Sequence, residues 1–523
     1  MHFVRLTIAA LAASARCLAL DATVTIDSGR VQGVIANGVT AFKGIPYAAP
    51  PVGPLRWKPP QPAPRWDTVR FAADYGSPCP QPPILERMWG IRYEKQSEDC
   101  LTLNVWSAAR TAQERHPVMV WIHGGDFIAG SSGGPSATAA SADGSILARQ
   151  GVVVVSLNYR LGPFGFLALP ALSRESPQHA SGNYGMLDQI AALQWVHRNI
   201  AAFGGDSGNV TVFGESAGAG SICWLMASPL ARPLFLRAIA QSPVVFIGAV
   251  ALSGAEQSGT KLFGENLAAL RAKSTSDIMS AAKFQDDIFF GSGDYWGPIV
   301  DGWVIPEDPA AVFRAGRQAS VALIAGTNAD EGSVFTTAFA YSNVLAYRAL
   351  LSQRYSLLSS TVFSLYPAYF NPQVRPAMTR LLTDSMFLTS ARRMVRAQAP
   401  INSATYLYHF TRVSPYARLY SLGSYHGAEI PYVFGTVDLV NSLIPGAYAN
   451  QDRELARSMS AAWVRFASTG NPNGTGFPGW PAYTAAADPH QEFGDSIRAV
   501  ARLHAKAVDS FTAFYEKLTP SPR

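Results

Sequence analysis

Val210-Thr211-Val212-Phe213-Gly214-Glu215-Ser216-Ala217-Gly218, continuing into Ala219–Met226, decides how this chain folds. Val210–Phe213 is apolar and β-branched and predicts a buried strand. Ala217–Met226 is rich in small and apolar residues and predicts a helix. Between them stands Gly-x-Ser-x-Gly, the pentapeptide of a nucleophile elbow, and here it has the strand-turn-helix context that an elbow requires. The two glycines answer to a tight turn against which a neighbouring chain packs, leaving no room for a Cβ. Ser216 is thereby expected in a strained turn at a helix N-terminus, where backbone N–H groups favour developing negative charge.

Working outward, Pro117–Ile122 and Val152–Leu157 are nearly continuous apolar runs, the pattern of central strands in a parallel sheet. Leu101–Val105, Ala238–Ala240 and Ala322–Ala325 predict further strands. Val24–Val39 mixes apolar and polar positions, with turn signals at Ser28-Gly29 and Asn37-Gly38, and predicts a hairpin or meander. From Leu187 to Ile200 apolar residues recur at spacings of three and four, a helix stopped by Gly204-Gly205. Strands alternating with helices over several hundred residues imply an α/β class with a mainly parallel central sheet.

A serine is a poor nucleophile without a base and an orienting acid, and behind an elbow these follow in the order serine, acid, histidine. Four histidines lie downstream: His409, His426, His490 and His504. His426 sits among small residues in Gly423-Ser424-Tyr425-His426-Gly427-Ala428-Glu429, a loop able to present an imidazole. His409 lies in an aromatic strand-like run and is expected to pack there. Asp330 and Glu331 both stand at the carboxyl end of the strand Ala322–Ala325, and spacing leaves the choice between them open. After Val118–Ile122 comes His123-Gly124-Gly125-Asp126-Phe127, a loop suited to supplying oxyanion N–H groups, with Ala217 N–H as the other donor. His123 itself is expected to be structural.

The chain has 523 residues, 48% hydrophobic and 15% charged, which excludes wholesale disorder and coiled coil. Its net charge of +6 comes without a basic run or stripe, so nucleic acid is not an expected partner. Met1–Ala15 carries one early arginine, a short apolar core and small residues, the form of a secretory signal peptide over residues 1–20. No other stretch is long and apolar enough for a membrane span, so a secreted or periplasmic protein is expected. Cys79 and Cys100 flank a stretch that starts proline-rich, favouring a disulfide in an oxidising compartment. Cys223, amid apolar residues, is expected to be a buried thiol. Length alone suggests three or four domains. Ser216 and His426 must nevertheless meet, which argues instead for one catalytic domain over residues 21–523.

These features together resemble the type-B carboxylesterase/lipase family, which includes cholinesterases and fungal secreted lipases on the α/β-hydrolase fold. The likeness runs through Phe42-Lys43-Gly44-Ile45-Pro46-Tyr47-Ala48, Ser97-Glu98-Asp99-Cys100-Leu101, Asn158-Tyr159-Arg160, Gly182-Asn183-Tyr184-Gly185 with Asp188-Gln189, Phe203-Gly204-Gly205-Asp206 and Asp330-Glu331-Gly332. It continues through His426-Gly427-Ala428-Glu429-Ile430-Pro431 to Trp463, Phe466, Gly470 and Pro472. It implies a large mixed sheet flanked by helices, with long insertions over the site. It implies a triad of Ser216, Glu331 and His426, an oxyanion hole from Gly125, Asp126 and Ala217 beside Gly124, and a supporting Ser242. It also pairs Cys79 with Cys100.

No metal or organic cofactor is implied, and the expected partner is a small-molecule or lipid-like ester. Two departures stand out: Asp126 replaces a usual glycine, so its carboxylate must face away from the oxyanion, and the cysteines of a second family disulfide are missing. Trp89 falls near the choline-binding indole of cholinesterases, though packing is its expected role. The same holds for Phe289, Phe290, Tyr295, Trp296 and Phe335 as candidates for an acyl pocket. Carboxylesterase, lipase and hydrolase of a bulky natural ester share every one of these motifs.

Overall fold

The computed structural model describes residues 22–83, 86, 92–133, 142–284, 294–336 and 343–518. The expected leader at 1–20, Trp89, Phe289 and Phe290 lie outside them. The strands are β1 (Thr23–Ile26), β2 (Gly29–Gln32), β3 (Val34–Ala36), β4 (Val39–Pro46), β5 (Val69–Phe71), β6 (Thr102–Ser107), β7 (His116–Ile122), β8 (Val153–Leu157), β9 (Gly205–Glu215), β10 (Arg237–Gln241), β11 (Ala322–Asn328), β12 (Thr405–Phe410), β13 (Pro489–Phe493) and β14 (Ile497–Ala501). β1, β2 and β5 form a small sheet. The remaining eleven form one large sheet in the order β14-β13-β12-β11-β10-β9-β7-β8-β6-β4-β3. From β8 through β13 neighbouring strands pair in parallel, while both margins are antiparallel.

The alternation over Val24–Val39 predicts one hairpin or meander, but the chain divides it between the two sheets. β1 and β2 pair with each other, whereas β3 pairs with β4 in the large sheet. The switch falls at Gly33, where a Cβ would lie 2.6 Å from the Ala41 carbonyl oxygen. Close backbone approach, which alternation cannot register, sets that change of partner.

β7 explains why the central runs are continuously apolar. Val118, Val120 and Ile122 enter the core on one face, and Met119 and Trp121 enter a second core on the other. Helices α1 (Tyr184–Asn199), α2 (Ala217–Ala227) and α4 (Thr389–Gln398) cover the first face. α5 (Asn450–Thr469) covers the second with Met459, Trp463 and Phe466. α3 (Asn371–Leu382) leads through Thr383–Leu388 into α4, and α6 (Ala505–Leu518) packs over α4 and that connecting turn.

Two motif segments are joined below the sheet. Arg160, after β8, makes paired 2.7 Å bonds through Nε and Nη2 to Asp188 of α1, and both side chains are buried. Cys79 and Cys100 form a disulfide, and Cys223 is a buried free thiol in α2. Because β7, β9, β10, β11 and β12 are parallel, their carboxyl ends open on one edge of the sheet, where sites of open α/β sheets form.

Candidate active site

Crowding fixes the turn after β9. A Cβ on Gly214 would sit 2.6 Å from the Ile122 carbonyl oxygen, and one on Gly218 only 2.0 Å from the same atom. Between these glycines Ser216 adopts φ 58° and ψ −122°, a conformation that side-chain-bearing residues hold only when their surroundings impose it. Its N–H donates to the Gln241 carbonyl at 2.9 Å, and its carbonyl accepts from Gly220 at 2.8 Å. β7, β10 and α2 therefore grip the turn on three sides.

The loop after β7 lies against this turn, and a Cβ on Gly124 would be 2.9 Å from Ser216 Cβ. Gly125, at φ 105°, turns so tightly that its carbonyl accepts from both Ile128 at 3.1 Å and Ala129 at 2.9 Å. The N–H groups of Gly125, Asp126 and Ala217 take no partner among the described residues. Asp126 has φ 55°. Burial pushes its carboxyl up to about 7. Burial, and after it the charge of Asp126, raises the phenol of the buried Tyr159. His123 stacks on Tyr159 at 4.5 Å, and its Nδ1 lies 2.8 Å from the Gly124 carbonyl. Burial pulls its imidazole down to about 4, so it is a neutral ring bracing the loop.

Glu331 and Asp330, equivalent by spacing, are separated by the turn after β11. Glu331 Oε2 lies 2.6 Å from His426 Nδ1. Its other oxygen accepts from the Ser242 hydroxyl at 2.5 Å and the Asn328 N–H at 2.7 Å. Asp330 instead accepts the Ser424 N–H at 2.8 Å, and its own N–H donates to the Ser424 carbonyl at 2.9 Å. It thus ties the His426 loop to the acid loop. His409, by contrast, is buried in β12.

Three neighbours of this centre, Glu215, Glu429 and Phe387, carry no signal of their own in the sequence, and a fourth, Phe335, is one of the acyl-pocket candidates. Glu215 Oε1 stands 3.1 Å from His426 Nε2, at ion-pair distance but without hydrogen-bond alignment. Glu429, fully buried, accepts from Gln241 at 3.0 Å and from Asn328 Nδ2 at 2.6 Å. Phe335 and Phe387 set their rings 5.2 Å and 4.9 Å from the imidazole. Glu215 and Glu429 stand beside Ser216 and within the His426 segment, so adjacency to a candidate is the one signal that finds them. Of the other acyl-pocket candidates, Trp296 packs in a core cluster and Tyr295 is 48% exposed. Burial alone would lower the His426 pKa, but the charges of Glu215 and Glu331 raise it. Burial pushes Glu215 itself upward against the pull of His426. The centre thus holds an imidazole able to exchange a proton and a serine in a strained turn facing unpaired N–H donors.

A sequence profile of the carboxylesterase family matches residues 20–511. The chain belongs to the carboxylesterase family. The enzyme is 40% identical to a fumonisin B1 esterase of Sphingopyxis macrogoltabida, over 87% of this chain and 83% of the relative. It is 38% identical to the para-nitrobenzyl esterase of Bacillus subtilis, over 88% and 92%, and 32% identical to a liver carboxylesterase of Sus scrofa, over 97% and 96%. Among solved structures, a thermophilic PNB esterase superposes with a TM-score of 0.80 at 34% identity, covering 94% of this chain and all of that one. The fold is accordingly that of the α/β hydrolases, and the enzyme is a carboxylic ester hydrolase.

Proposed function

We propose that this carboxylesterase works through an acyl-enzyme on Ser216, with His426 as general base and Glu331 as its orienting acid. The observation that carries the reading is the 2.6 Å Glu331–His426 contact beside a serine held in a strained turn. His426 takes the Ser216 hydroxyl proton as the oxygen attacks the ester carbonyl, and Glu331 stabilises the imidazolium. The N–H groups of Gly125, Asp126 and Ala217 receive the oxyanion. His426 then protonates the leaving alcohol, and water repeats the sequence to release the acid. The weakly aligned Glu215 contact leaves Nε2 free to turn to Ser216.

Residues 21–523 are read as one catalytic domain, supported by a site drawn from β7, β9, β10, β11 and the loop after β12. Residues 1–20 are read as a leader to a secreted or periplasmic enzyme. The Cys79–Cys100 disulfide is compatible with export, and among the described residues no helix is long and apolar enough to cross a membrane. Relatives named for fumonisin B1 and for para-nitrobenzyl esters support small-molecule esters as substrates. Profiling p-nitrophenyl esters from acetate to palmitate separates a carboxylesterase from a lipase.

Ser216→Ala is expected to abolish covalent labelling by a fluorophosphonate and to lower p-nitrophenyl acetate turnover by at least about 10³-fold. Retained turnover would sink the assignment.

A further inference from the structure

Helices α3 and α4 are joined without a break by a π-helical turn, Thr383–Leu388, whose residues are all buried. Such turns are rare and concentrate at functional sites. Three of its side chains serve three different neighbours. Thr383 Oγ1 accepts the Gly332 N–H at 3.2 Å, next to Glu331. Phe387 lays its ring 4.9 Å from that of His426. Asp384 turns toward the C-terminus, with Oδ1 2.8 Å from His504 Nδ1 and Oδ2 accepting the Tyr366 hydroxyl at 2.7 Å. The Asp384 side chain is 6% exposed and that of His504, just before α6, is 52% exposed. One buried carboxylate thus stands between the surface and the turn that backs the imidazole.

His426 is anchored to Glu331 at Nδ1, and its ring can still tilt. Glu215 waits 3.1 Å from Nε2 on one side, while Phe335 and Phe387 limit the tilt. A small misplacement of a general base is costly to turnover. Removing His504 leaves the buried carboxylate with the Tyr366 hydroxyl but without the imidazole, a state that either draws in a proton or moves the turn. The bond to Asp384 raises the His504 imidazole above its ordinary value against burial and against Arg392 and Arg380, which also face it; His409 and His490 lie beyond.

We propose that the His504–Asp384 pair is a latch through which the C-terminal segment holds Phe387 against His426, which makes His504 a positioning residue for ester hydrolysis. The proposal rests on His426 being the general base. It is tested with His504→Ala, Phe387→Leu and the double variant, measuring kcat and KM for p-nitrophenyl acetate per active site titrated with a fluorophosphonate. Each single variant should lose about tenfold in kcat with KM held within about twofold. The double variant should fall no further than the worse single, because both act through one contact. His504→Gln, which keeps a donor for Asp384, should recover most of the loss and serves in its place if the alanine variant does not fold. Unchanged kcat per active site with only a lower melting temperature, or full additivity in the double variant, overturns the latch. His426→Ala assayed alongside separates the two readings. Activity retained there overturns the base assignment, whereas an inactive His426→Ala beside an unaffected His504→Ala overturns the latch alone.

Discussion

Two carboxylates reach the same imidazole from opposite nitrogens, Glu331 at Nδ1 and Glu215 at Nε2. Both favour the protonated ring, yet in the proposed mechanism His426 must be neutral to accept the Ser216 proton. Activity should therefore rise with pH as the ring deprotonates. Glu215→Gln removes one of the charges that hold the proton on, so the acid limb of kcat/KM should move down by about one pH unit. A pH profile with p-nitrophenyl acetate measures it, and an unmoved or raised limb contradicts the assignment of cause. Motif and chain order single out Ser216 and His426 as candidates, whereas spacing does not separate Glu331 from Asp330 and only the family resemblance favours Glu331. Adjacent residues in a turn point in different directions, and which one meets His426 is settled by how the turn packs on Ser424.

At the scale of elements, the continuous runs of β7 and β8 were readable because both sheet faces are covered and all positions but His116 and Ser156 are apolar. The π turn was not, since Thr383–Leu388 has the composition of an ordinary buried helix and its widened spacing comes from what surrounds it. The Arg160–Asp188 pair shows what two of the quoted motifs do: it clamps the loop after β8 to the start of α1. Asp188→Asn leaves the buried guanidinium without its counter-charge and should cost about 3–5 kcal/mol. A shift of the urea midpoint to lower concentration checks it, and a midpoint unchanged from the parent removes the clamp.

For the molecule as a whole, buried groups load its acid response in opposing directions. Burial pulls His123 to about 4, His409 to about 3 and His490 to about 4, so these rings stay neutral where an unfolded chain would protonate them. Burial raises Glu429 and Asp126, which stay protonated where an unfolded chain would ionise them. Below about 6.5 the first set loses stability as pH falls and the second gains it. His409→Gln isolates one ring. Whatever it costs at pH 7.5, its deficit against the parent should shrink by about 1.4 kcal/mol for each pH unit below about 6.5. Urea titrations at pH 7.5 and 5.5 measure the difference, and a constant deficit refutes it. Length suggested several domains and net charge suggested little; neither could show that one sheet edge gathers residues so far apart in the chain.

Glu331 gives one oxygen to Ser242 and Asn328 and keeps the other for His426. In the proposed triad its orientation is settled when the protein folds, before any ester arrives. The rearrangement that water would undergo around a forming imidazolium has in that sense already taken place. Part of the barrier to acyl transfer is then written into the folding free energy. Loosening either donor would slow the reaction without touching an atom that reacts.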